Sequence, residues 1–408
     1  MKKFFLEAGP VLRALTRNRA GAVLIALQCA VTLAIVTNSI FIIQDRVQKM
    51  LRPSGVDAEN VFSLRVLPFK QNYDMKNDIA RDMRELRALP GVLDASVVGS
   101  LPLSGGGSST GLRTQADGAP ETRVPMAYYE TDEHGLNSLG LKLISGRDFN
   151  ADEVTTWAPN SERSGGSVIL SKALADKLFP DGQAVGKPLY YSNGDALQVV
   201  GVVERLQTPW IFWGELEDSM LIAQYTLSPI FVRYVVRSEP GQLESVISEV
   251  EKKLAQLDPN RVIRDTERQT EVESKAYASY RAMAVILGAV IVLIVAVTSL
   301  GIVGLASFNV NARRKQIGTR RALGAQKGDI IRYFLVESWL ITTAGAAIGA
   351  GLSFALSYWM ANTFDLPPLD WRYVPVGVLF LWLLGQIAVL APARRAAELP
   401  PALATRSA

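Results

Sequence analysis

The chain has 408 residues, 49% of them hydrophobic, with a mean hydropathy of +0.16. That length allows two or three structural units, and the apolar content places part of the chain against lipid. A single cysteine, Cys29, excludes an internal disulfide framework, and a single histidine, His134, excludes a multi-histidine or Cys/His metal site. The net charge of +4 comes without an aromatic-interleaved basic stretch, so it carries no nucleic-acid signal.

Residues 1–20 hold Lys2, Lys3, Arg13, Arg17 and Arg19 and lead into a charge-free apolar run, 21–43. At 23 residues this run exceeds the ~7–15 of a signal-peptide core and reads as a retained anchor. Three further charge-free runs follow at 282–308, 338–364 and 373–393. Each surpasses the ~20 residues that cross a ~30 Å hydrocarbon core as a helix, the form that satisfies its own backbone in lipid. The spans are thus free of internal charge, whereas ion and polar-substrate pathways usually place ionisable groups inside the bundle. The spacing of Gly345 and Gly349, beside Gly351, and the pair Gly301 and Gly304 predict close helix packing, in a bundle or a dimer.

Charge then orients the spans. Residues 1–20, the loop 309–337 and the tail 394–408 share one side of an even-numbered topology and carry 15 cations against four acids; the remainder carries 28 against 35. The positive-inside rule places both termini and the 309–337 loop in the cytoplasm, with 44–281 and the short loop 365–372 outside. Glu337 falls just outside the third run, and an interfacial pairing with Arg332 or Lys327 is expected.

The external segment 44–281 has two ends that read alike. Strand, charged amphipathic helix and strand are expected at 61–67, 73–89 and 92–99, and again at 231–237, 242–257 and 261–264. Two βαβ units flanking an insert predict a split α+β subdomain. The insert, with β-like runs at 167–170 and 198–203, predicts a mostly β second subdomain. Its Gly105-Gly106-Gly107 stretch lacks a following Lys-Ser/Thr and reads as a loop. The segment 181–188 mimics a phosphate loop, but it has three residues between Gly182 and Gly186, and Pro188 follows Lys187 where a Ser/Thr should reach magnesium. His134 reads as loop surface, acid pairs such as Asp152 and Glu153 read as solvated turn residues, and no G-x-S-x-G elbow surrounds any serine. No catalytic, cofactor-binding or metal site is expected in this chain.

The cytoplasmic loop carries a specific signature: Arg313-Arg314-Lys315-Gln316-Ile317-Gly318-Thr319-Arg320-Arg321-Ala322-Leu323-Gly324-Ala325, then Asp329-Ile330-Ile331 and Phe334-Leu335-Val336-Glu337. This stretch resembles the signature of FtsX-like ABC transporter permeases, and Pro392-Ala393-Arg394-Arg395-Ala396 resembles the ending of the same module. Leu139-Gly140-Leu141 with Gly146-Arg147-Asp148-Phe149, Leu178-Phe179-Pro180-Asp181 with Val185-Gly186-Lys187, and Val199-Val200-Gly201-Val202-Val203 resemble the periplasmic core domain of macrolide-exporter-type (MacB-like) permeases.

The resemblance implies a four-helix α-helical membrane bundle with a large α+β extracytoplasmic domain, made of a split porter-like part and a β-rich sabre-like insert. It implies a multi-pass protein of the bacterial inner membrane. The ATPase domain that macrolide exporters carry is absent from this sequence, so ATP and Mg are expected on a separate cytoplasmic ABC ATPase. The coupling residues would be Ile317, Gly318, Arg320, Arg321, Ala322, Leu323, Gly324 and Ala325, with Gly324 closing a short helix and Asp329 capping the next. The alternative is that the loop cations only bind anionic lipid headgroups. Mechanotransmission for export or efflux is implied, through a second permease copy or paralogue, with a periplasmic adaptor and an outer-membrane channel as further candidate partners. Two other readings stay open: an FtsX-type regulator of a cell-wall hydrolase or sensor, and a lipoprotein-extraction permease. Gln316 stands where family members commonly carry an acid, so either that acid's pairing is dispensable or this copy couples weakly as half of a heterodimer.

Overall fold

A charge-free run longer than the bilayer core leaves the chain one local solution, and the first such run forms helix α1 (Arg19–Met50). A computed structural model describes residues 19–69, 74–118, 122–158, 165–228, 230–364 and 366–400. Lys2, Lys3, Arg13, Arg17 and Arg406, used above to orient the chain, lie outside the described residues. The chain divides into two units, one being Leu51–Ser279 and the other the segments on either side of it.

The Leu51–Ser279 unit begins with β1 (Val61–Pro68), α2 (Met75–Arg87) and β2 (Val92–Val97). The insert supplies β3 (Ser108–Leu112), β4 (Val124–Thr131), the single-turn α3 (Gly135–Ser138), β5 (Leu143–Gly146), β6 (Thr155–Trp157), β7 (Ser167–Ser171), α4 (Lys172–Leu178), β8 (Pro188–Tyr190), β9 (Ala196–Val203) and β10 (Ser219–Thr226). The chain then returns with β11 (Val232–Ser238), α5 (Leu243–Leu257), β12 (Arg261–Arg268) and α6 (Gln269–Ala276).

The two βαβ units interleave into one four-stranded sheet of order β12-β1-β11-β2, so each unit lends its partner a strand. β1 runs antiparallel to both β11 and β12, which makes this the split βαβ plan expected from the sequence. Period 2 explains the layers. Phe62, Leu64 and Val66 on one face of β1 pack with Ile79, Met83 and Leu86 of α2 and with Val246, Val250 and Leu254 of α5. Val61 and Val235 on the opposite face join Tyr129, Ile169 and Leu221 from the insert in a second core. Truncating Leu64 to alanine, from a fully buried site, should cost ~2–5 kcal/mol. Inside the first core Arg261 and Asp82 form an ion pair with both side chains fully buried, and the Tyr234 hydroxyl donates to Asp82 at 2.8 Å.

The insert forms a mixed eight-stranded sheet with path β3-β4-β10-β7-β9-β5, to which β6 and β8 attach. β4 is parallel to β10, and β7 is parallel to β9. α4 covers its far face through Leu174 and Leu178.

In the other unit the later runs form α7 (Ala278–Ala312), the short α8 (Arg314–Ala322), α9 (Lys327–Phe364) and α10 (Tyr373–Ala397). With α1, three of these helices are long and apolar enough to cross a membrane. Small residues set their spacing. A Cβ on Gly345 would stand 2.6 Å from the Ala26 carbonyl oxygen and the Cys29 Cβ, and one on Gly349 would stand 2.9 Å from the Ala30 carbonyl. The Gly345/Gly349 pair therefore packs α9 on α1 within one chain. A Cβ on Gly304 or Gly351 would meet nothing within 4 Å among the described residues outside its own stretch of helix, and Gly301 faces the Gln28 side chain. Polar side chains join the helices as well: the Thr32 and Thr298 hydroxyls lie 2.7 Å apart, and Asn38 Nδ2 donates to the Ser353 carbonyl at 3.1 Å.

Candidate functional site

The loop between the second and third membrane-length helices is an ordered turn-helix-turn. α7 ends at Ala312, and α8 starts two residues later. Ile317 and Gly318 are its buried residues, whereas Arg320, Ala322 and Gly324 are exposed and Leu323 is 84% exposed. Arg321 and Ala325 are half-buried, and the Arg321 guanidinium donates to the Ala325 carbonyl at 3.3 Å. Ile317 points into the bundle core with Ile330 and Phe334, and Leu323 points away from it. Arg320 lies over the Tyr333 ring at 5.1 Å.

Gly324 ends α8 as the sequence predicts. Its φ is +97°, its N–H donates to the Arg321 carbonyl at 3.2 Å, and the Ala325 N–H donates to the Arg320 carbonyl at 3.0 Å. These two bonds are the paired 6→1 and 5→2 closure of a Schellman turn, which needs a left-handed residue at this position. Asp329 is a correction. α9 begins at Lys327, three residues earlier than a cap at Asp329 would allow, and the Asp329 carboxylate reaches back to accept from the Gln326 N–H at 3.0 Å. It thus supplies the acidic half of a capping box from inside the first turn.

Glu337 is also corrected. It lies within α9 at 3% exposure, and its Oε2 is 3.2 Å from Arg313 Nη1, which is also 2.9 Å from the Tyr333 hydroxyl. Arg332 pairs with Asp329 instead. On a helix, residues five or ten positions back do not share a face with Glu337, so neither Arg332 nor Lys327 could reach it. Sequence reasoning counted Arg313 as one loop cation among seven; its position as the first charge after a long apolar run was the available signal.

In the external unit His134 is not plain loop surface. Its Nδ1 lies 3.0 Å from Asp94 Oδ2, Asn137 donates to the same oxygen at 2.8 Å, and Arg87 bridges to Asp132 at 3.1 Å. Burial raises the Asp132 carboxyl to about 6, against the lowering effect of Arg87. Glu153 is likewise engaged: two bonds from Arg147 hold its carboxyl down at about 2. In the 181–188 segment Lys187 pairs with Asp181 at 2.5 Å and stacks on Phe179, so the lysine of this phosphate-loop mimic is already occupied.

Residues 24–253 match the family described as MacB-like periplasmic core domain, and residues 288–401 match the family described as FtsX-like permease C-terminal. A macrolide export ATP-binding/permease protein MacB from Chromobacterium violaceum is 29% identical over 280 residues, covering 64% of this chain and 40% of that protein. The uncharacterized ABC transporter permease YknZ of Bacillus subtilis (strain 168) is 27% identical over 288 residues, covering 66% of this chain and 67% of that protein. The chain thus spans less than half the length of the exporter it matches. The crystal structure of the YknZ extracellular domain aligns with 50% of this chain and 100% of its own, at 16% identity and a TM-score of 0.30. The core-domain match alone takes in more than half of the residues, and the chain belongs to the MacB-like periplasmic core domain family, with an FtsX-like permease C-terminal segment.

Proposed function

We propose that this member of the family is the membrane subunit of an ABC-type exporter. A separate cytoplasmic ATPase binds ATP and Mg, and its motion passes through the 309–337 loop and the membrane helices to the external domain. Both termini lie in the cytoplasm and the protein sits in the inner membrane, as the Lys and Arg distribution supports. The working unit holds two permease chains. An adaptor and an outer-membrane channel complete the route where the cell has an outer membrane.

The observation that carries this reading is α8 itself. It is short, basic and locked at its C-terminus by the Gly324 turn, its apolar residue Ile317 is anchored in the bundle, and Leu323 and Arg320 stand exposed. An exposed leucine that follows two arginines into a rigid turn fits a protein partner better than it fits solvent.

The test is to purify the tagged full-length chain from its native membranes in mild detergent. Wild type should recover an ABC ATPase subunit and hydrolyse ATP, whereas Leu323→Glu should insert normally, lose that subunit and show no hydrolysis. Equal recovery by both forms would remove α8 as the contact. Hydrolysis by the chain freed of any partner would contradict the division of labour.

A further inference from the structure

The connection between β9 and β10 contains Pro209-Trp210-Ile211-Phe212-Trp213, a density of large apolar side chains that lies outside the hydrophobic core clusters of the described residues. Phe212 is 77% exposed, and Trp210, Ile211 and Trp213 are half-buried, with the two indoles stacked at 5.1 Å. The loop is not slack. Thr208 N–H donates to the Leu216 carbonyl at 2.7 Å across its base, Gly105 N–H donates to Pro209 at 2.9 Å, and Trp213 N–H donates to Trp210 at 3.3 Å. The chain therefore holds Phe212 outward, and Trp210 and Trp213 partly exposed, on a fixed turn where a water-facing loop would carry polar residues.

Its place in the fold says what covers it. Gln207, at the base of the loop and fully buried, donates through Nε2 to the carbonyls of Arg52 and Pro53 at 3.1 and 3.0 Å, and its Oε1 accepts from the Tyr277 hydroxyl at 3.2 Å. Arg52 lies two residues past the end of α1, and Tyr277 immediately precedes α7. One glutamine thus gathers both strands of chain that leave for the membrane helices. At no more than ~3.6 Å per residue, Arg52 stays within about 7 Å of the last residue of α1. A hollow beside the aromatics is lined by Val272, Lys275 and Ala276 of α6, the helix leading into α7. Tryptophan and other aromatics concentrate at the level of lipid headgroups, where an apolar ring and a polar edge are both satisfied. Lys275, whose Nζ is 2.6 Å from Glu267, and the exposed Arg52 supply a charged rim for that layer.

We propose that the Trp210–Trp213 turn is an interfacial lipid anchor, by which the external domain rests its aromatic tip in the outer-leaflet headgroup region. The proposal rests on reading α1 and α7 as membrane spans, but not on any ATPase contact. Anchored in this way, the domain's membrane-proximal end is held at a fixed depth while its far end is free to move.

The experiment uses the full-length chain with Cys29→Ala, carrying a nitroxide label at Phe212→Cys or, as a control, at Ser192→Cys in the exposed β8–β9 turn. Each is reconstituted in nanodiscs of phosphatidylethanolamine and phosphatidylglycerol. Collision with oxygen, which concentrates in lipid, is compared with collision with a water-soluble nickel chelate. The label at 212 should show an oxygen-to-nickel ratio several-fold above that at 192. A ratio equal to the control would place the turn in water, and shielding from both relaxants would show that protein covers it; either outcome overturns the anchor. Failure of the membrane-span reading would instead appear as a chain that does not enter nanodiscs.

Discussion

Replacing Gly324 with valine tests the turn that closes α8 without touching a charge or a packed atom. Among the described residues a Cβ at this position would meet nothing within 4 Å, so the effect is argued from the backbone, whose φ is +97°. A left-handed conformation costs an L-residue ~1–2 kcal/mol, and a β-branched residue is the worst case. One to two kcal/mol corresponds to about 5–30-fold more opening of the turn. Amide hydrogen exchange in nanodiscs reads this directly at Gly324 and Ala325, whose N–H groups make the closing bonds. Asparagine enters the left-handed region more readily than other non-glycine residues, so Gly324→Asn should exchange only slightly faster than wild type, with Gly324→Ala between it and valine. ATP hydrolysis with the co-purified ATPase should fall in the same order. If valine and asparagine are indistinguishable in exchange, the turn does not hold α8 and the reasoning fails.

Arg313→Ala should destabilise the membrane unit by ~3–5 kcal/mol, because it strands the buried Glu337 carboxylate, while the double replacement of Arg313 and Glu337 by methionine should recover most of the loss; thermal unfolding in detergent measures both. The buried Asp132, raised from 3.8 to about 6, binds more protons folded than unfolded, so its contribution is fully present below about pH 4 and declines as pH rises toward 6. Melting of the external unit in the full chain should therefore fall between pH 4 and 6.5 by an amount on the order of 3 kcal/mol, and Asp132→Asn should flatten that part of the profile; an unchanged slope in the variant would remove Asp132 as its source. Single cysteines at Ser108 or Ser192 in a Cys29→Ala chain should react with an impermeant maleimide on spheroplasts, and one at Gln326 should react only after permeabilisation. Reversed labelling would invert the proposed orientation.

The sequence revealed elements more readily than their pairing. A charge-free run of more than 20 residues reports its own helix, and alternation in 61–67 reports its own strand, because both signals are local. β7 was legible only as a short apolar run because both its faces are buried, Val168 and Leu170 toward α4 and Ile169 toward the inter-sheet core. Nothing local shows that β4 pairs in parallel with β10 across a separation of about 90 residues, or that β1 sits between β11 and β12. The aromatics at 210–213 went unread for a related reason: nothing local says whether apolar residues in a loop enter a core or, like Phe212, stand exposed.

At the 309–337 loop the local rule succeeded where geometry is local and failed where it is not. Gly324 was readable because a left-handed helix end is specified by one residue and its nearest carbonyls. Glu337 was not, because its partner arrives from 24 residues away, after the chain has turned through α8. That pairing changes what the loop can transmit. Arg313 sits immediately before α8 and is tied to α9 through Glu337 and Tyr333, so the start of the short helix is bonded to the third membrane-length helix. The other end is joined to α9 by the Gly324 turn and the Asp329 bond to Gln326. On the proposed reading, a push on Leu323 then reaches α9 through a helix held at both ends, and loosening either end should uncouple the ATPase without moving a membrane span.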